Sequence, residues 1–331
     1  MSSGTEKTNN SGIMGQGKER LRSLVRSRES GLFFALLLVC VILSFTTTTF
    51  LNSENLFNVL KQVSLVTIVA AGQTFIIISG GIDLSVGFIL GLSGIIMSNM
   101  MLSGVSVPVS VLVGVLTGVA FGYLNGVLIT KLKLPPFIIT LGMASVCKGI
   151  VLVITKGFPI EVTSEFVIAL GQGYVGPVPI MAIIMVVLVV IAAFILEKTV
   201  FGNRVKALGG NELAASLSGI NVNRTKRFIY AFAGLFCGLA GIIMTGRLNS
   251  GNPNAGLSFD MDSIAATIVG GTSLSGGSGS VFGTMLGALL LGTIRNGLVL
   301  LNVNMYWQTV VTGAIIILVC ALDRLTGSRK A

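Results

Sequence analysis

Apolar runs about twenty residues long, separated by short polar or glycine-rich turns, recur along the whole chain. They fall at roughly 31–50, 59–79, 84–103, 107–130, 136–155, 177–196, 228–246, 260–275, 280–301 and 305–322. A helix needs roughly 20 apolar residues to cross a bilayer core, whereas barrel strands would alternate in segments of about ten. The pattern therefore predicts an all-α integral membrane protein of about ten transmembrane helices. The longest polar connection, 198–227, divides the first six runs from the last four. Inside it Asn211 stands as an N-cap, Glu212 occupies the first turn, Leu213 to Ser218 form a helical body, and Gly219 supplies the stop. Isolated helices below roughly 12–15 residues are marginal in water, so this one is expected to dock against something.

Two stretches break the regular alternation. Gly80-Gly81-Ile82-Asp83-Leu84-Ser85 parts two apolar runs with almost no loop. A near-copy, Gly270-Gly271-Thr272-Ser273-Leu274-Ser275, returns 190 positions later, followed by Gly276-Gly277-Ser278-Gly279-Ser280. The run before the second copy is short for a full span. Irregular backbone at membrane depth is tolerated where it is buried in protein or lines a wet cavity, and short glycine-interrupted segments in matching halves point to a transport pathway. The prediction therefore includes short or re-entrant glycine-interrupted segments. A second echo, Leu124 to Leu128 against Arg295 to Val299, has an offset of 171. The unequal offsets exclude one uniform duplication and leave a two-half arrangement.

Composition agrees with this picture. Of 331 residues 53% are hydrophobic and 10% charged, with mean hydropathy +0.92, against about 25% charged in soluble domains. The net charge of +10 comes from residues beside span ends, which reads as a topology signal rather than a nucleic-acid surface. Lys18, Arg20, Arg22, Arg26 and Arg28 put the N-terminus in the cytoplasm. A ten-span path then brings Lys131, Lys133, the 198–227 loop, Arg324, Arg329 and Lys330 to the same side, with 157–176 and 248–259 outside. The organisation expected is a disordered cytoplasmic tail over 1–30, one transmembrane domain over 31–325, and a cytoplasmic C-terminal tail over 326–331. The run 31–50 is too long and too far in for a cleavable signal peptide, so it reads as the first span.

The chemistry-bearing residues are few. With no histidine, the commonest general base and metal ligand is missing. Cys40, Cys147, Cys237 and Cys320 each lie in a different apolar run without CxxC spacing, which favours packing over a disulfide or zinc framework. Gly12 to Lys18 fits the start of a phosphate-binding loop, but Glu19 follows instead of Ser or Thr and no strand precedes it. Asp83 either caps the following helix with Ser85, touches cargo, or serves the conformational change. Arg247 is placed to pair with Asp260 or Asp262, unless these are solvated span ends. Arg295 in its apolar run faces the bundle interior or snorkels. Asn125 and Asn296 either bond across helices or bind hydroxyls of a polar solute. Ser273, in the second glycine-rich stretch, joins these as a pathway candidate. Gly114, Gly118, Gly122 and Gly126, and similarly Gly283, Gly287 and Gly292, let helices approach closely. Pro135-Pro136 and Pro177/Pro179 stand at helix starts. No nucleophile–base pair or metal cluster emerges, so an enzyme is not expected.

Three stretches, GGIDLSVG at Gly80–Gly87, FGNRVKALGGNELAASLSGINV at Phe201–Val222 and SIAATIVGGTSLSGGSG at Ser263–Gly279, resemble the membrane permease of bacterial ribose-type ABC sugar importers. That family also serves xylose, arabinose, allose, galactosides and autoinducer-type cargo, within a superfamily that includes branched-chain amino acid permeases. The likeness spans about 50–325. It implies two copies of a roughly ten-span subunit in the bacterial inner membrane, a periplasmic or lipid-anchored sugar-binding protein, and a cytoplasmic ATPase that binds the ATP and magnesium. No cofactor is expected on this chain. The resemblance makes the loop at Gly210, Asn211, Glu212, Leu213, Ala214, Ala215 and Gly219 a coupling helix that docks on the ATPase. Glu212, Ala214 and Gly219 match the family's Glu-Ala-Ala…Gly pattern, while Leu213 departs from its first Ala. The cargo implied is a ribose-like pentose or related sugar. Alternatives are a permease for branched-chain amino acids and a self-sufficient secondary transporter or channel.

Overall fold

The computed structural model describes residues 28–304 and, with interruptions, 306–321. The expectations for most of the 1–30 tail, for Cys320, Arg324, Arg329 and Lys330, and for the 326–331 tail lie outside the described residues. The chain forms α1 (Arg28–Thr46), α2 (Ser53–Ile78), α3 (Val86–Leu102), α4 (Val107–Leu132), α5 (Pro136–Thr155), α6 (Glu165–Gln172), α7 (Ile180–Lys198), α8 (Val200–Gly210), α9 (Glu212–Leu217), α10 (Val222–Leu248), α11 (Phe259–Val269) and α12 (Val281–Leu300). Among the described residues the only strands are short two-residue pieces, β1 (Ile160–Glu161) with β4 (Ser250–Gly251) and β2 (Tyr174–Val175) with β3 (Val178–Pro179).

Six helices, α2, α4, α5, α7, α10 and α12, are long and apolar enough to cross a membrane, and α1 and α3 are shorter apolar helices. The all-α multi-pass class follows directly. The eighth predicted run shrinks to α11, whose 11 residues span only about 16 Å at ~1.5 Å per residue, well short of a ~30 Å hydrocarbon core.

Helix α2 is the axis of the fold. Asn52 caps it by accepting from the Glu54 N–H, and every residue from Thr67 to Ile78 is buried. It is surrounded by α7, α8, α10, α11 and α12. A helix apolar all round needs such a site. Around this core, α4, α5 and α7 leave Leu112, Phe137, Val153 and Phe194 exposed on their outer flanks, the faces a bilayer would cover.

Glycine sets the tightest contact. A Cβ added at Gly118 would strike the backbone of Gly234 and Gly238, at Gly122 that of Tyr230, and at Gly126 that of Arg227. Helices α4 and α10 thus touch backbone to backbone, as the four-residue spacing predicts. Gly283 and Gly287 of α12 meet Gly270 and Ala266 in the same way, and Gly292 meets Val63.

Helices α2 and α11 end in the same turn. Gly80 (φ +81°) and Gly271 (φ +89°) adopt the left-handed conformation. Gly80 N–H donates to Ile77 O at 2.9 Å and Gly81 N–H to Ile76 O at 2.9 Å; Gly271 N–H donates to Ile268 O at 2.9 Å and Thr272 N–H to Thr267 O at 3.2 Å. Both are paired-bond helix stops. The structural echo runs one residue out of step with the sequence echo: the first glycine of one pair matches the second of the other.

The loops sort to two ends of the bundle. At one end lie the α2–α3 elbow, the α4–α5 turn with Lys131 and Lys133, α8, α9, the start of α10 and the α11–α12 elbow. Gly277 N–H donates to Ile78 O at 2.8 Å there, and Leu84 N–H donates to Thr140 Oγ1 at 3.1 Å. The opposite end holds α6 and the strand pairs. Gln172 of α6 donates to Gly246 O and Arg247 O of α10 at 3.3 and 3.1 Å, and Lys61 of α2 lies 4.5 Å from the Tyr174 ring centre.

Candidate functional site

At the basic end, Asn211 closes one helix and opens the next. Its N–H donates to Ala207 O, ending α8, while its Oδ1 accepts from the Ala214 N–H at 2.9 Å, starting α9. The far end of α9 is closed by Gly219 at φ +83°. Gly219 N–H donates to Ser216 O at 3.0 Å and Ile220 N–H to Ala215 O at 3.1 Å. The helix is therefore stapled at both ends despite having only six residues. Ala215 is its buried face, and the Glu212 carboxylate pairs with Lys226 of α10 at 2.7 Å. Leu213 and Leu217, one turn apart, are 71% and 82% exposed. A Cβ at Gly210 would meet nothing within 4 Å, whereas one at Gly209 would strike Ile78 O and meet Gly277 N. The root of α9 thus rests on both elbows. A recess of about 380 Å³ opens between Gly80, Gly81, Gly210, Asn211, Lys226 and Tyr230.

Two residues beyond Gly81, which lines this recess, Asp83 is 1% exposed. The expected N-cap does not form: α3 starts at Val86, and its cap residue Ser85 makes no side-chain cap bond. Asp83 instead folds the elbow on itself. Its Oδ1 accepts from Ser85 N–H at 2.7 Å and Ser85 Oγ at 2.5 Å. Asn125 Nδ2 of α4 donates to Asp83 Oδ2 at 3.3 Å and to Ser85 Oγ at 2.8 Å. Gln73 of α2 donates from Nε2 to the Asp83 carbonyl at 3.2 Å. A buried carboxylate requires such donors; Ser85 of the elbow and Asn125 of α4 supply them, while Gln73 of α2 ties the backbone carbonyl. Gln73 Oε1, Asn125 Oδ1 and Tyr230 OH remain buried without a partner. The sequence reading missed Gln73, Thr140 and Tyr230. An amide inside an apolar run, as at Gln73, is itself a signal of a buried polar site.

The other candidates separate. Arg247 does not pair with Asp260 or Asp262. Asp262 is taken by Arg295 in a two-pronged pair, Nη1–Oδ2 2.9 Å and Nη2–Oδ1 2.7 Å. Arg247 sits in the last turn of α10, while α11 turns its acidic first turn towards α12. Asn296 bonds across helices. It exchanges two amide bonds with Asn55 of α2, at 3.1 and 2.8 Å. Ser273 shapes its own loop, its N–H donating to Ser278 O and its carbonyl accepting from Gly276 N–H. Of the fourteen residues proposed from sequence, seven form the α9 loop, Asp83, Ser85 and Asn125 form a buried elbow network, and Arg295 and Asn296 make polar ties at the opposite end, while Arg247 and Ser273 join none of these.

Comparison with known proteins places this helical membrane architecture in a transport class. The chain belongs to the family described as branched-chain amino acid transport system / permease component, whose model matches residues 55–320. It is 47% identical over 296 residues to the ribose import permease protein RbsC of Bacillus subtilis, covering 89% of this chain and 92% of that one. It is 40% identical to the ribose import permease protein RbsC of Escherichia coli K12 (87% and 91% covered) and 39% identical to the D-allose transport system permease protein AlsC of the same strain (89% and 91%). No solved structure matches the chain.

Proposed function

We propose that this chain is the permease subunit of an ATP-binding cassette importer for a monosaccharide, with a ribose-like pentose as the preferred cargo. The names of its relatives support the sugar class: ribose and D-allose import permeases stand at 47% and 39% identity over nearly the whole chain. The chain works without an ATPase site or cofactor of its own; a cytoplasmic ATPase binds the nucleotide and magnesium, and an extracytoplasmic binding protein delivers the sugar. Two copies form the pathway, as closed symmetry favours for like subunits. The basic end faces the cytoplasm with both termini, the path crosses the membrane about ten times, and α11 with its elbow is a re-entrant segment.

The observation that carries the coupling assignment is α9. A six-residue helix capped at both ends, with Leu213 and Leu217 pointing away from the protein, is a rigid knob awaiting an apolar groove. Leu213, the departure from the family pattern, is then a contact residue. Glu212 does not reach outward; it anchors the knob to α10 through Lys226. Gly210, Asn211, Ala214, Ala215 and Gly219 shape and hold the knob, while Asp83, Ser85 and Asn125 hold the elbow it bears upon.

The test is uptake of radiolabelled ribose by cells lacking their own ribose permease and supplied with this chain, its ATPase and its binding protein. Leu213→Asp with Leu217→Asp is expected to lower uptake on the order of tenfold or more, the scale of losing interface anchors, while the amount of protein in the membrane stays constant. Unchanged uptake at equal protein level refutes the docking role. A second reading has one observation behind it: the matched family is described by branched-chain amino acids. Labelled leucine entering at the same rate as ribose would favour it. Uptake into liposomes by this chain alone would favour a secondary transporter or channel.

A further inference from the structure

We propose that each chain binds one anionic phospholipid between α4 and α10 at the basic end, its phosphate on Arg224 and Arg227 and an acyl chain in the groove beside them. Two adjoining cavities make the site. The polar one, about 470 Å³, is lined by Tyr123, Asn221, Asn223, Arg224, Arg227 and Phe228. The apolar one, about 440 Å³, shares Tyr123 and Phe228 and continues along Val119, Phe201, Phe232 and Leu235. Residues 224, 228, 232 and 235 follow one stripe of α10, and 119 and 123 face them from α4, so the cavities run head to tail along the helix axis.

Charge selects the occupant. No acidic residue lines either cavity. The ion pairs among the described residues are Lys206–Glu197, Lys226–Glu212 and Arg295–Asp262, so Lys226 on the same turn is already neutralised while Arg224 and Arg227 are not. Both arginines are nevertheless held in place. Arg227 Nε donates to Thr130 Oγ1 at 2.9 Å, which leaves its two terminal nitrogens free. The Arg224 guanidinium lies 5.7 Å from the centre of the Phe228 ring. A planar guanidinium pair of this kind matches phosphate oxygens, and basic pockets beside membrane helices take anionic headgroups. The groove floor is the aromatic contact of Phe201 with Phe232, ring centres 5.9 Å apart, with Phe228 and Tyr123 left exposed as its rim. A polar solute would leave that rim in contact with lipid tails; a phospholipid covers both parts at once.

The experiment is native mass spectrometry of the full-length chain in mild detergent, titrated with dioleoyl phosphatidylglycerol or dioleoyl phosphatidylcholine. One phosphatidylglycerol per chain should be retained, with phosphatidylcholine at least tenfold weaker. Arg224→Gln with Arg227→Gln should weaken phosphatidylglycerol on the order of tenfold, as two interfacial charges predict. Ala231→Trp, which fills the groove and leaves both arginines, should weaken it as well. Equal retention of the two lipids, or full retention by either variant, overturns the proposal. Displacement of the lipid by excess inorganic phosphate would mean that the arginines read a free phosphate, and efficient disulfide cross-linking of Phe228→Cys between two chains in membranes would mean that a second copy covers the groove. Either result also overturns it.

Discussion

The two elbows of this protein have the same backbone and opposite interiors. Both follow a left-handed glycine, Gly80 or Gly271, with the same pair of closing bonds. In the structural register Asp83 corresponds to Leu274. Asp83 is 1% exposed and held by Ser85 and Asn125; Leu274 is 37% exposed. The first elbow turns straight into α3 and is locked from inside by polar bonds. The second takes an extra glycine-rich loop before α12 and instead lays Gly276 and Gly277 on the root of α9. A helix stop is thus a reusable part, and what is placed two or three residues beyond it decides whether the turn is a lock or a lever.

The largest effect should come from opening the lock. Asp83→Leu leaves the Ser85 N–H and Ser85 Oγ without their acceptor and Asn125 Nδ2 with Ser85 Oγ alone, at about 1–3 kcal/mol for each buried orphan. The variant should lose thermal stability by several degrees in detergent and most of its transport, whereas Asp83→Asn, which keeps an acceptor, should lose much less. A leucine variant as stable as the parent would mean that the network is not structural. The contact between the elbows and the α9 loop should give an intermediate effect. Gly209→Ala drives a methyl into Ile78 O, while Gly210→Ala meets nothing within 4 Å. Overpacking of this kind costs roughly 1–3 kcal/mol, so the first variant should fall well below the second in ribose-stimulated ATP hydrolysis by the assembled importer. Equal rates would detach the elbows from the α9 loop. The smallest effect belongs to Leu274→Ala, within about 0.5 kcal/mol as for an exposed site; a melting temperature as low as that of Asp83→Leu would erase the contrast between the elbows.

Local signals were legible in the sequence and distant pairings were not. Asn211, Glu212 and Gly219 announced α9 to within a residue, because caps and stops act over three or four positions. The run 136–155 matches α5 end to end, with Pro136 in its first turn. By contrast α8 was missed: it is half polar and amphipathic, and its single buried edge at Gly202, Val205 and Leu208 is too thin to give an apolar run. Asp83 looked like a helix cap because it sits just before a helix; only the approach of α4 and α2 from 42 and 10 positions away turns it inward. Arg295 and Asp262 are 33 positions apart, and nothing in either segment alone favours that partner over Arg247. Asn55, which answers Asn296, carried no signal beyond being polar near a span end.

The burial of α2 has a consequence for how the chain is made. Ser64, Thr67, Gln73 and Thr74 are polar, belong to this one helix, and are all 0% exposed. The helices that cover them include α10, α11 and α12, and a ribosome begins α10 roughly 140 residues after it has finished α2. For that interval the future centre of the molecule lacks three of the helices that cover it, with α7 and α8 arriving first. Synthesis therefore ends, rather than begins, with the closing of the core, and a chain cut short after α9 retains a central helix without α10, α11 and α12 around it.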